Sequence, residues 1–550
     1  MQSNFPSVFA AFTAAAEATP RNPFLCVTAE VAGAYGLTAG EITYAEAASD
    51  VGQLIKQYQA AGYGASEHGA CRVGLMVDNR PSFFFHWFAL NALGASVVPI
   101  NAEFTAKEQA YLLHHSEVCL MVSAAAHMDK ARLAVAELGT EIPIVEDAAT
   151  VFPNRGNAIS DAKPASTNDE CAVLFTSGST GKPKACLLSN EYFLDMGYWY
   201  RDIGGLCQLE VGQERLITPL PLTHMNAMAT SAMAMVITHG CLIQLDRFHP
   251  KSWWSSVRAS GATICHYLGV MPAILLQLDE SPDDPNTNLK FGFGAGVNSA
   301  HHAKFEARFG FPLIEAWAMT ETGSGACIIA NHEPRHVGSS CFGKPDPNHV
   351  AVKLVDESGQ EAAQGELLVR RAGADPRKGF FTEYYKNPQA TAEGWADGWW
   401  HTGDVVRRND DGSLSFVDRS KNIIRRSGEN IAALEVEAVI SRHPAPQIVA
   451  VTPVPDEIRG EEVMACIILT DENAPSEETA LALFEQANRE LAYYKTPGYV
   501  AFVEEMPLTA TQKPKRNEIK SLARNLLAQF QQDPDSLAMY DLRNRKKKRK

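Results

Sequence analysis

One short loop of the sequence carries residue types that suit the binding of phosphate. Between two apolar runs lie four hydroxyl residues, two glycines and two lysines, in the order Thr176-Ser177-Gly178-Ser179-Thr180-Gly181-Lys182-Pro183-Lys184. Glycines let backbone N–H groups turn toward an anion, hydroxyls add donors, and lysines add positive charge. The loop differs from a Walker A loop, because Pro183 stands where that pattern has Ser or Thr. The composition predicts a phosphate-binding loop, and a Ser/Gly-rich surface loop is the alternative.

The elements around this loop are predicted to form a parallel α/β sheet. The loop follows the apolar run Cys171–Phe175 and precedes Ala185–Leu188, and both have the character of buried strands. Upstream, Tyr44–Ala61 has the pattern of an amphipathic helix, and short apolar runs alternate with helical segments up to about residue 170. Strands that alternate with helices are typical of a parallel sheet covered on both faces. We therefore expect the α/β fold class.

Composition and charge exclude several classes of protein. The chain has 550 residues and a net charge of −15, so the body is a poor electrostatic partner for nucleic acid. The eleven cysteines form no C-x-x-C pair, which favours reduced thiols. Met1–Pro6 lacks the features of a signal peptide, and Phe83–Ile100 predicts a buried helix followed by a strand. We expect a cytoplasmic protein without a membrane span, with monomer and homodimer both open.

Further motifs follow in the second half of the chain. A glycine-rich run, Phe291–Val297, precedes Glu315-Ala316-Trp317-Ala318-Met319-Thr320-Glu321-Thr322. His401-Thr402-Gly403-Asp404 then leads into a predicted hairpin with strands at 405–407 and 414–416. Asp418-Arg419-Ser420-Lys421 and Arg426-Ser427-Gly428-Glu429 come next, and Thr511-Gln512-Lys513-Pro514-Lys515 lies near the end.

The loop and these motifs together resemble the adenylate-forming superfamily, which includes acyl-CoA synthetases, adenylation domains of peptide synthetases and luciferases. The resemblance covers residues 20 to 530, and the sequences of the motifs are most similar to those of acyl-CoA ligases of the crotonobetaine/carnitine type. It implies a large N-terminal domain of α/β subdomains at 1–418. It also implies a small α+β C-terminal domain at 419–530 that rotates about a hinge, and a basic, disordered tail is predicted at 531–550.

The resemblance implies a role for each motif. The loop residues Thr176, Ser177, Gly178, Ser179, Thr180, Gly181 and Lys184 would hold phosphate, while Gly294, Ala295 and Gly296 would lie against adenine and the acyl group. Trp317, where the family has tyrosine, would give adenine an aromatic face. Thr320 lies beside Glu321, which would bind Mg²⁺. Asp404 would accept hydrogen bonds from the ribose hydroxyls.

Other implied roles concern the acyl group, the hinge and the second domain. His224 would lie beside the acyl pocket, and Ala318, where the family has glycine, would narrow it. Arg419 would reach ribose or α-phosphate, Lys421 would mark the pivot, and Gly428 would approach the thiol acceptor after rotation. Lys513 would be the catalytic lysine, although Gln512 replaces the usual glycine before it, so Lys515 stays an alternative. The strand Ala262–Leu268 would also face the acyl chain at its end, and His266 within it is interpreted as a core histidine.

The implied reaction has two steps. A carboxylic acid would react with ATP and Mg²⁺ to give acyl-AMP and pyrophosphate, and coenzyme A would then take the acyl group. Loading of a carrier-protein phosphopantetheine is the alternative acceptor. A pseudo-enzyme or nucleic-acid-associated protein is a third possibility, based on the seven positive charges among residues 543–550. That tail would contact anionic lipid or RNA, act as a nuclear signal, or be a solvated terminus.

Overall fold

The computed structural model describes residues 5–65, 71–156, 166–176, 182–297, 299–356, 358–419, 423–507 and 516–545. It divides into two units. The first comprises the described parts of Met1–Ala102, Gln109–Phe175 and Ala185–Asp418. The second comprises those of Glu103–Glu108, Thr176–Lys184 and Arg419–Lys550.

The α-helices, numbered in chain order, are α1 (Val8–Ala18), α2 (Ala29–Tyr35), α3 (Tyr44–Ala61), α4 (Pro81–Ala92), α5 (Ala106–His115), α6 (Met128–Ala136), α7 (Asn190–Asp202), α8 (Ala232–Thr238), α9 (Trp253–Ser260), α10 (Val270–Leu275), α11 (Ser299–Phe309), α12 (Pro388–Gly394), α13 (Ala433–Ile440), α14 (Glu477–Glu490) and α15 (Arg516–Gln532). A π-helix, Asn226–Ser231, runs directly into α8.

The strands are β1 (Pro23–Val27), β2 (Gly40–Thr43), β3 (Arg72–Met76), β4 (Ser96–Pro99), β5 (Leu120–Ser123), β6 (Ile144–Glu146), β7 (Glu170–Thr176), β8 (Lys184–Ser189), β9 (Arg215–Thr218), β10 (Cys241–Gln244), β11 (Ile264–Leu268), β12 (Phe291–Ala295), β13 (Leu313–Trp317), β14 (Ile328–Ile329), β15 (Val350–Val355), β16 (Gln364–Arg371), β17 (Glu383–Tyr384), β18 (Trp395–Ala396), β19 (Trp399–Arg408), β20 (Leu414–Arg419), β21 (Ile423–Arg426), β22 (Glu429–Ala432), β23 (Pro446–Asp456), β24 (Gly460–Leu469), β25 (Tyr499–Phe502) and β26 (Met539–Asp541).

Two largely parallel sheets confirm the predicted α/β class. The first has the strand order β14-β13-β12-β11-β9-β10-β1-β2, and its strands from β13 to β1 are parallel. The second has the order β17-β8-β7-β4-β3-β5-β6. Helix α4 is buried around most of its surface and packs its aromatic rings into the core, with Trp87 and Phe84 fully covered. A helix apolar on all sides is typical of a core position.

The third sheet of the first unit is antiparallel and has the order β15-β16-β19-β18, with β20 paired to β19. It contains the predicted hairpin, but its first strand begins at Trp399 rather than at Val405. The second unit carries a mixed sheet, β22-β21-β24-β25-β26, with β23 paired to β24, so the α+β prediction for this part is confirmed.

The segment from Asn226 to Thr238 is helical, and its first turn is a π-helix. The tail was predicted to be disordered from residue 531, and this is wrong for the part that the structure describes. Helix α15 extends to Gln532, and Met539–Asp541 pairs with β25. Arg543 is held by Asp541 and Asp456, because paired carboxylates offset its charge. Residues 546–550 lie outside the described residues.

None of the helices in the described ranges is long and apolar enough to cross a membrane.

Candidate active site

Several of the predicted site residues lie at one edge of the first sheet. Strands β11, β12 and β13 are neighbours and run parallel, with Leu268 paired to Ala295 and Gly294 paired to Glu315. Their carboxyl ends therefore meet at the same edge, where open α/β sheets bind ligands. This edge brings Gly294, Ala295 and Gly296 close to the end of β13 at Trp317.

The turn after β12 is held by the carboxylate of Glu315. The backbone N–H groups of Gly296 and Val297 donate to its two oxygens at 2.9 and 2.8 Å. Gly296 has a φ of +79°, a backbone conformation that favours glycine. Gly294 has a different reason, because a Cβ there would collide with the backbone oxygen of Tyr267 on β11. The glycine-rich run thus combines close strand packing with one exposed turn.

Trp317 and Asp404 form a buried pair. The indole Nε1–H of Trp317 donates to Oδ2 of Asp404 at 2.9 Å, and the two residues are 5% and 1% exposed. A buried carboxylate is costly unless hydrogen bonds offset its lost hydration. Trp317, which replaces the tyrosine of the family, therefore has an observed role. It holds the carboxylate that is predicted to bind ribose. Stacking of adenine on this ring stays a prediction.

A β-bulge positions Asp404. In the pairing of β16 with β19, the register shifts between Glu366 and Leu368, so that Thr402–Asp404 on β19 face Leu367 alone. Gly403 takes the left-handed conformation, with φ +69°, and donates its N–H to the carboxylate of Glu366 at 2.9 Å. The Thr402 hydroxyl accepts from the Asp404 N–H at 3.0 Å. Bulges re-aim side chains in this way.

Glu321 lies in a tightly closed loop after β13. Its Oε1 accepts from the Tyr384 hydroxyl at 2.7 Å, and its backbone oxygen accepts from the Phe381 N–H at 2.9 Å. The Tyr192 hydroxyl donates to the backbone oxygen of Thr320 at 2.9 Å. Burial and the nearby Glu321 carboxylate raise the pKa of Tyr384, so its hydroxyl stays a donor. The loop is fixed from two sides and presents Thr320 half-exposed.

The carboxylate of Glu321 fits a magnesium site in which the protein supplies few of the ligands. Mg²⁺ retains water and takes one or two carboxylates together with phosphate oxygens, and Glu321 would supply one such carboxylate. Among the described residues, no cluster of three or more His, Cys, Asp or Glu side chains has a metal-binding arrangement.

A polar cluster lies under the segment that follows β9. His266 on β11 is fully buried, with its Nε2 3.0 Å from the Tyr200 hydroxyl. Its Nδ1 is 2.8 Å from both Ser231 Oγ and Asn226 Oδ1. Burial lowers the pKa of His266 to about 3, so the ring is neutral near pH 7. The interpretation of His266 as a hydrogen-bonded core histidine agrees with this geometry.

His224 lies two residues before this cluster and is half-buried. Its backbone N–H donates to the Pro221 oxygen at 3.0 Å, and its own backbone oxygen accepts from Met228 at 3.2 Å. The turn therefore joins the end of β9 to the π-helix. Ala318, at the end of β13, is exposed. A position of either residue beside an acyl group stays a prediction.

The phosphate loop is described at its two ends. Thr176 is the last residue of β7 and Lys184 the first of β8, and both are half-buried. The predicted ligands Ser177, Gly178, Ser179, Thr180 and Gly181 lie outside the described residues. The same holds for Lys421, Lys513 and the alternative Lys515. Arg419 is the last residue of β20.

Gly428 occupies a tight turn in the second unit. Ser427 and Gly428 have φ values of +52° and +87°, and Arg426 pairs with Glu429 across the hairpin of β21 and β22. Two successive left-handed residues are typical of a two-residue hairpin turn. The buried Arg426 anchors it by donating to Glu462 at 3.0 Å and to the Tyr494 backbone oxygen at 2.8 Å.

Sequence reasoning missed the residues that hold the predicted site side chains. Tyr384, Glu366 and Glu315 are such residues, together with Thr402 in the bulge. Tyr384 lies 63 residues from Glu321 along the chain, and no local spacing could indicate their contact. Gly403, by contrast, carried a usable signal, because glycine within a strand often marks a bulge.

Comparison with known protein families gives two matches along the chain. The model of the AMP-binding enzymes matches residues 12–380, and the model of the AMP-binding enzyme C-terminal domain matches residues 435–513.

Curated relatives match over most of their length. The crotonobetaine/carnitine–CoA ligase of Citrobacter koseri is 29% identical over 496 residues, which cover 87% of this chain and 93% of that protein. The ligase of the same description from Proteus mirabilis is also 29% identical, over 86% of this chain and 92% of that protein.

Solved structures share the fold. An o-succinylbenzoate CoA synthetase of Bacillus subtilis gives a TM-score of 0.78 at 21% identity, covering 94% of this chain and 98% of that chain. An amide bond synthetase of Marinactinospora thermotolerans gives 0.77 at 23% identity, covering 93% and 99%. Because the family model matches more than half of the chain, the chain belongs to the AMP-binding enzymes, the adenylate-forming family that its motifs resemble.

Proposed function

We propose that this protein is an ATP-dependent acyl-CoA ligase. It activates a carboxylic acid as acyl-AMP with release of pyrophosphate and then transfers the acyl group to coenzyme A. The observation that carries the proposal is the buried Trp317–Asp404 pair at the carboxyl edge of a parallel sheet. A carboxylate held at this edge suits the paired hydroxyls of a ribose. The motifs and the ligase relatives supply the rest of the argument.

In the first half-reaction, positive charge must offset the repulsion between a carboxylate and a triphosphate. We assign this task to Lys184, Arg419 and Lys513, with the loop Thr176–Gly181 holding phosphate through N–H and hydroxyl donors. Bound Mg²⁺ would add charge at Glu321, whose carboxylate Tyr384 orients. His224 would lie beside the acid. The protein's own contribution is chiefly positioning.

In the second half-reaction, the thiol of coenzyme A attacks the acyl carbon of acyl-AMP, and AMP leaves. We assign the approach of the thiol to the hairpin turn at Gly428, after a rotation about Lys421. A carrier-protein phosphopantetheine as acceptor is less favoured, because the curated relatives are named as CoA ligases. One neighbour in fold is an amide bond synthetase, so the acceptor needs a direct test.

The proposal is tested by incubating the protein with ATP, Mg²⁺ and a panel of carboxylic acids, and measuring pyrophosphate release with and without coenzyme A. We expect release with a subset of acids and thioester formation only with coenzyme A present. Asp404→Ala should raise the KM for ATP, and Glu321→Ala should abolish activation. An unchanged KM for ATP in Asp404→Ala, or pyrophosphate release at the wild-type rate in Glu321→Ala, would contradict these assignments.

A second experiment separates the half-reactions. Lys513→Ala should lose acyl-AMP formation but still convert supplied acyl-AMP to acyl-CoA. Gly428→Leu should show the reverse, and Gly359→Leu is its control, because Gly359 has a similar φ of +80° with open space at its Cβ position. If only Lys515→Ala gives the first pattern, Lys515 is the catalytic lysine. Equal loss in both assays for Lys513→Ala would remove its assigned role.

A further inference from the structure

The buried cluster around His266 fixes the orientation of one half-exposed amide. His266 Nδ1 lies 2.8 Å from Asn226 Oδ1, an oxygen that can only accept a hydrogen bond. Nδ1 of the neutral ring therefore carries the proton, and Nε2 accepts from the Tyr200 hydroxyl at 3.0 Å. The Ser231 hydroxyl donates to the Asn226 backbone oxygen at 3.1 Å. Both ring nitrogens, both hydroxyls and the amide oxygen of Asn226 have matched partners, so this oxygen points into the protein.

The amide nitrogen of Asn226 must then point away from the cluster. No described residue forms a hydrogen bond with this nitrogen, and the residue is half-buried. Asn226 also begins the π-helix, Asn226–Ser231. π-Helical turns are rare in proteins overall. Those that occur are often found at functional sites, because the extra residue changes the direction of the side chains. The result is an amide NH₂ group that can donate two hydrogen bonds and is held in one orientation.

This donor belongs to the same sheet edge as the candidate active site. Asn226 follows β9, and β9 is the parallel neighbour of β11, which carries His266. His266 pairs in register with Phe293 of β12, and their rings stack with centroids 4.9 Å apart. Phe293 directly precedes Gly294 and Ala295 at the end of β12. The amide thus stands beside the strand ends that we assign to adenine and the acyl group.

We propose that Asn226, oriented by His266, donates a hydrogen bond to an oxygen on the acyl chain, so that the protein selects carboxylic acids with a hydroxyl or oxo group over unsubstituted alkyl acids. This inference rests on the proposed function and names the substrate class of that site. An alkyl acid would cover the amide without giving it an acceptor, and a desolvated donor without a partner is costly. Asn226 determines specificity, whereas His266 is a positioning residue.

The test compares acids of equal chain length through pyrophosphate release. The pairs are 4-oxopentanoate with pentanoate and 3-hydroxybutyrate with butyrate, and the measured quantity is the ratio of kcat/KM within each pair. We expect the wild-type protein to favour the oxygenated member of at least one pair by about tenfold or more, the effect of one hydrogen bond to a desolvated group. Asn226→Leu and Asn226→Asp both remove the donor and should bring that ratio close to one.

Controls keep the result specific. Asn286→Leu changes an exposed asparagine away from this cluster and should leave the ratio unchanged. His266→Phe should lower the ratio while the KM for ATP stays constant, which a general loss of structure would not do. If the wild-type protein uses both members of each pair equally, or if Asn226→Asp keeps the preference, the inference is wrong. If no acid at all releases pyrophosphate, the proposed function itself fails.

Discussion

At the scale of single residues, the candidate site depends on how two buried carboxylates are held. Asp404 is 1% exposed and Glu321 5%, and each accepts from the polar edge of an aromatic side chain, the indole of Trp317 or the hydroxyl of Tyr384. An indole N–H can only donate, so it is well matched to a carboxylate. These bonds keep the acidic groups in place before a substrate arrives.

Replacement of Trp317 tests this role. Trp317→Phe keeps an aromatic ring but removes the indole donor to Asp404, so we expect the KM for ATP to rise about tenfold, as for one charge-assisted hydrogen bond. Trp254→Phe is the matched control, because the structure gives the buried indole N–H of Trp254 no hydrogen-bond partner among the described residues. Measured ATP dependence of pyrophosphate release should separate the two variants. Equal KM values would show that the Trp317–Asp404 bond does not affect nucleotide binding.

At this scale the sequence predicts which residues would carry the chemistry, but it does not predict which residues hold them. Thr320, Glu321 and Asp404 stand in recognisable local motifs. Tyr384 and Trp317 reach their partners across 63 and 87 residues of chain. Contacts at such separations depend on how the sheets and loops pack together. The spacing of residues along the chain does not indicate that packing.

At the scale of elements, periodicity predicted the regular segments well. The amphipathic pattern at 44–61 corresponds to α3, and the apolar run at 171–175 lies within β7. The irregular elements were missed, because the extra residues of a bulge or a π-turn do not alter the apolar composition around them. Both of these irregularities, at Thr402–Asp404 and at Asn226–Ser231, lie at the candidate site.

The bulge at Gly403 gives a prediction for an element. Gly403→Ala places a Cβ on a residue with φ +69°, which we expect to cost about 1 kcal/mol of stability and to move Asp404, so the KM for ATP should rise. Gly398→Ala is the control, because Gly398 has φ +76° in the turn before β19 and open space at its Cβ position. The two variants should lose similar stability in denaturation, and only Gly403→Ala should change ATP binding. A KM increase in both variants would assign the effect to strain alone.

At the scale of the whole molecule, strands alternating with helices sufficed to predict parallel sheets. The large first unit and the smaller second unit each carry sheets of their own. The final strand, β26, was not predicted, since three residues near a polar terminus give too short a pattern. Its pairing with β25 depends on an available sheet edge, which the local sequence does not contain.

The free energy of unfolding of the first unit at acid pH should depend in part on one buried group, His266. His266 has an ordinary pKa of 6.5 when unfolded and a pKa of about 3 when folded, because of burial. Between these values the unfolded chain binds a proton that the folded chain does not, so the free energy of unfolding falls as the pH falls. The slope for one proton is about 1.4 kcal/mol per pH unit at most.

This slope is measurable by denaturant unfolding at pH 7, 6 and 5. All eight tryptophans lie in the first unit, so their fluorescence reports its unfolding. His266→Gln removes the titrating group, and its stability should therefore decrease less than that of the wild-type protein between pH 6 and pH 5, by about 1 kcal/mol. Parallel decreases in the two proteins would show that His266 does not titrate on unfolding in this range.

The π-helix at Asn226–Ser231 also has a consequence for how far the length of this segment can vary. An α-helix turns by about 100° per residue, so removal of the one extra residue would rotate the start of this segment against α8 by about that angle. The Asn226 side chain would leave His266 while the buried face of α8 stayed in register. Ala227, Met228 and Ala229 are all buried in the core, so a single-codon deletion among them would displace core side chains together with Asn226, and we expect the length of this segment to be as constrained as its composition.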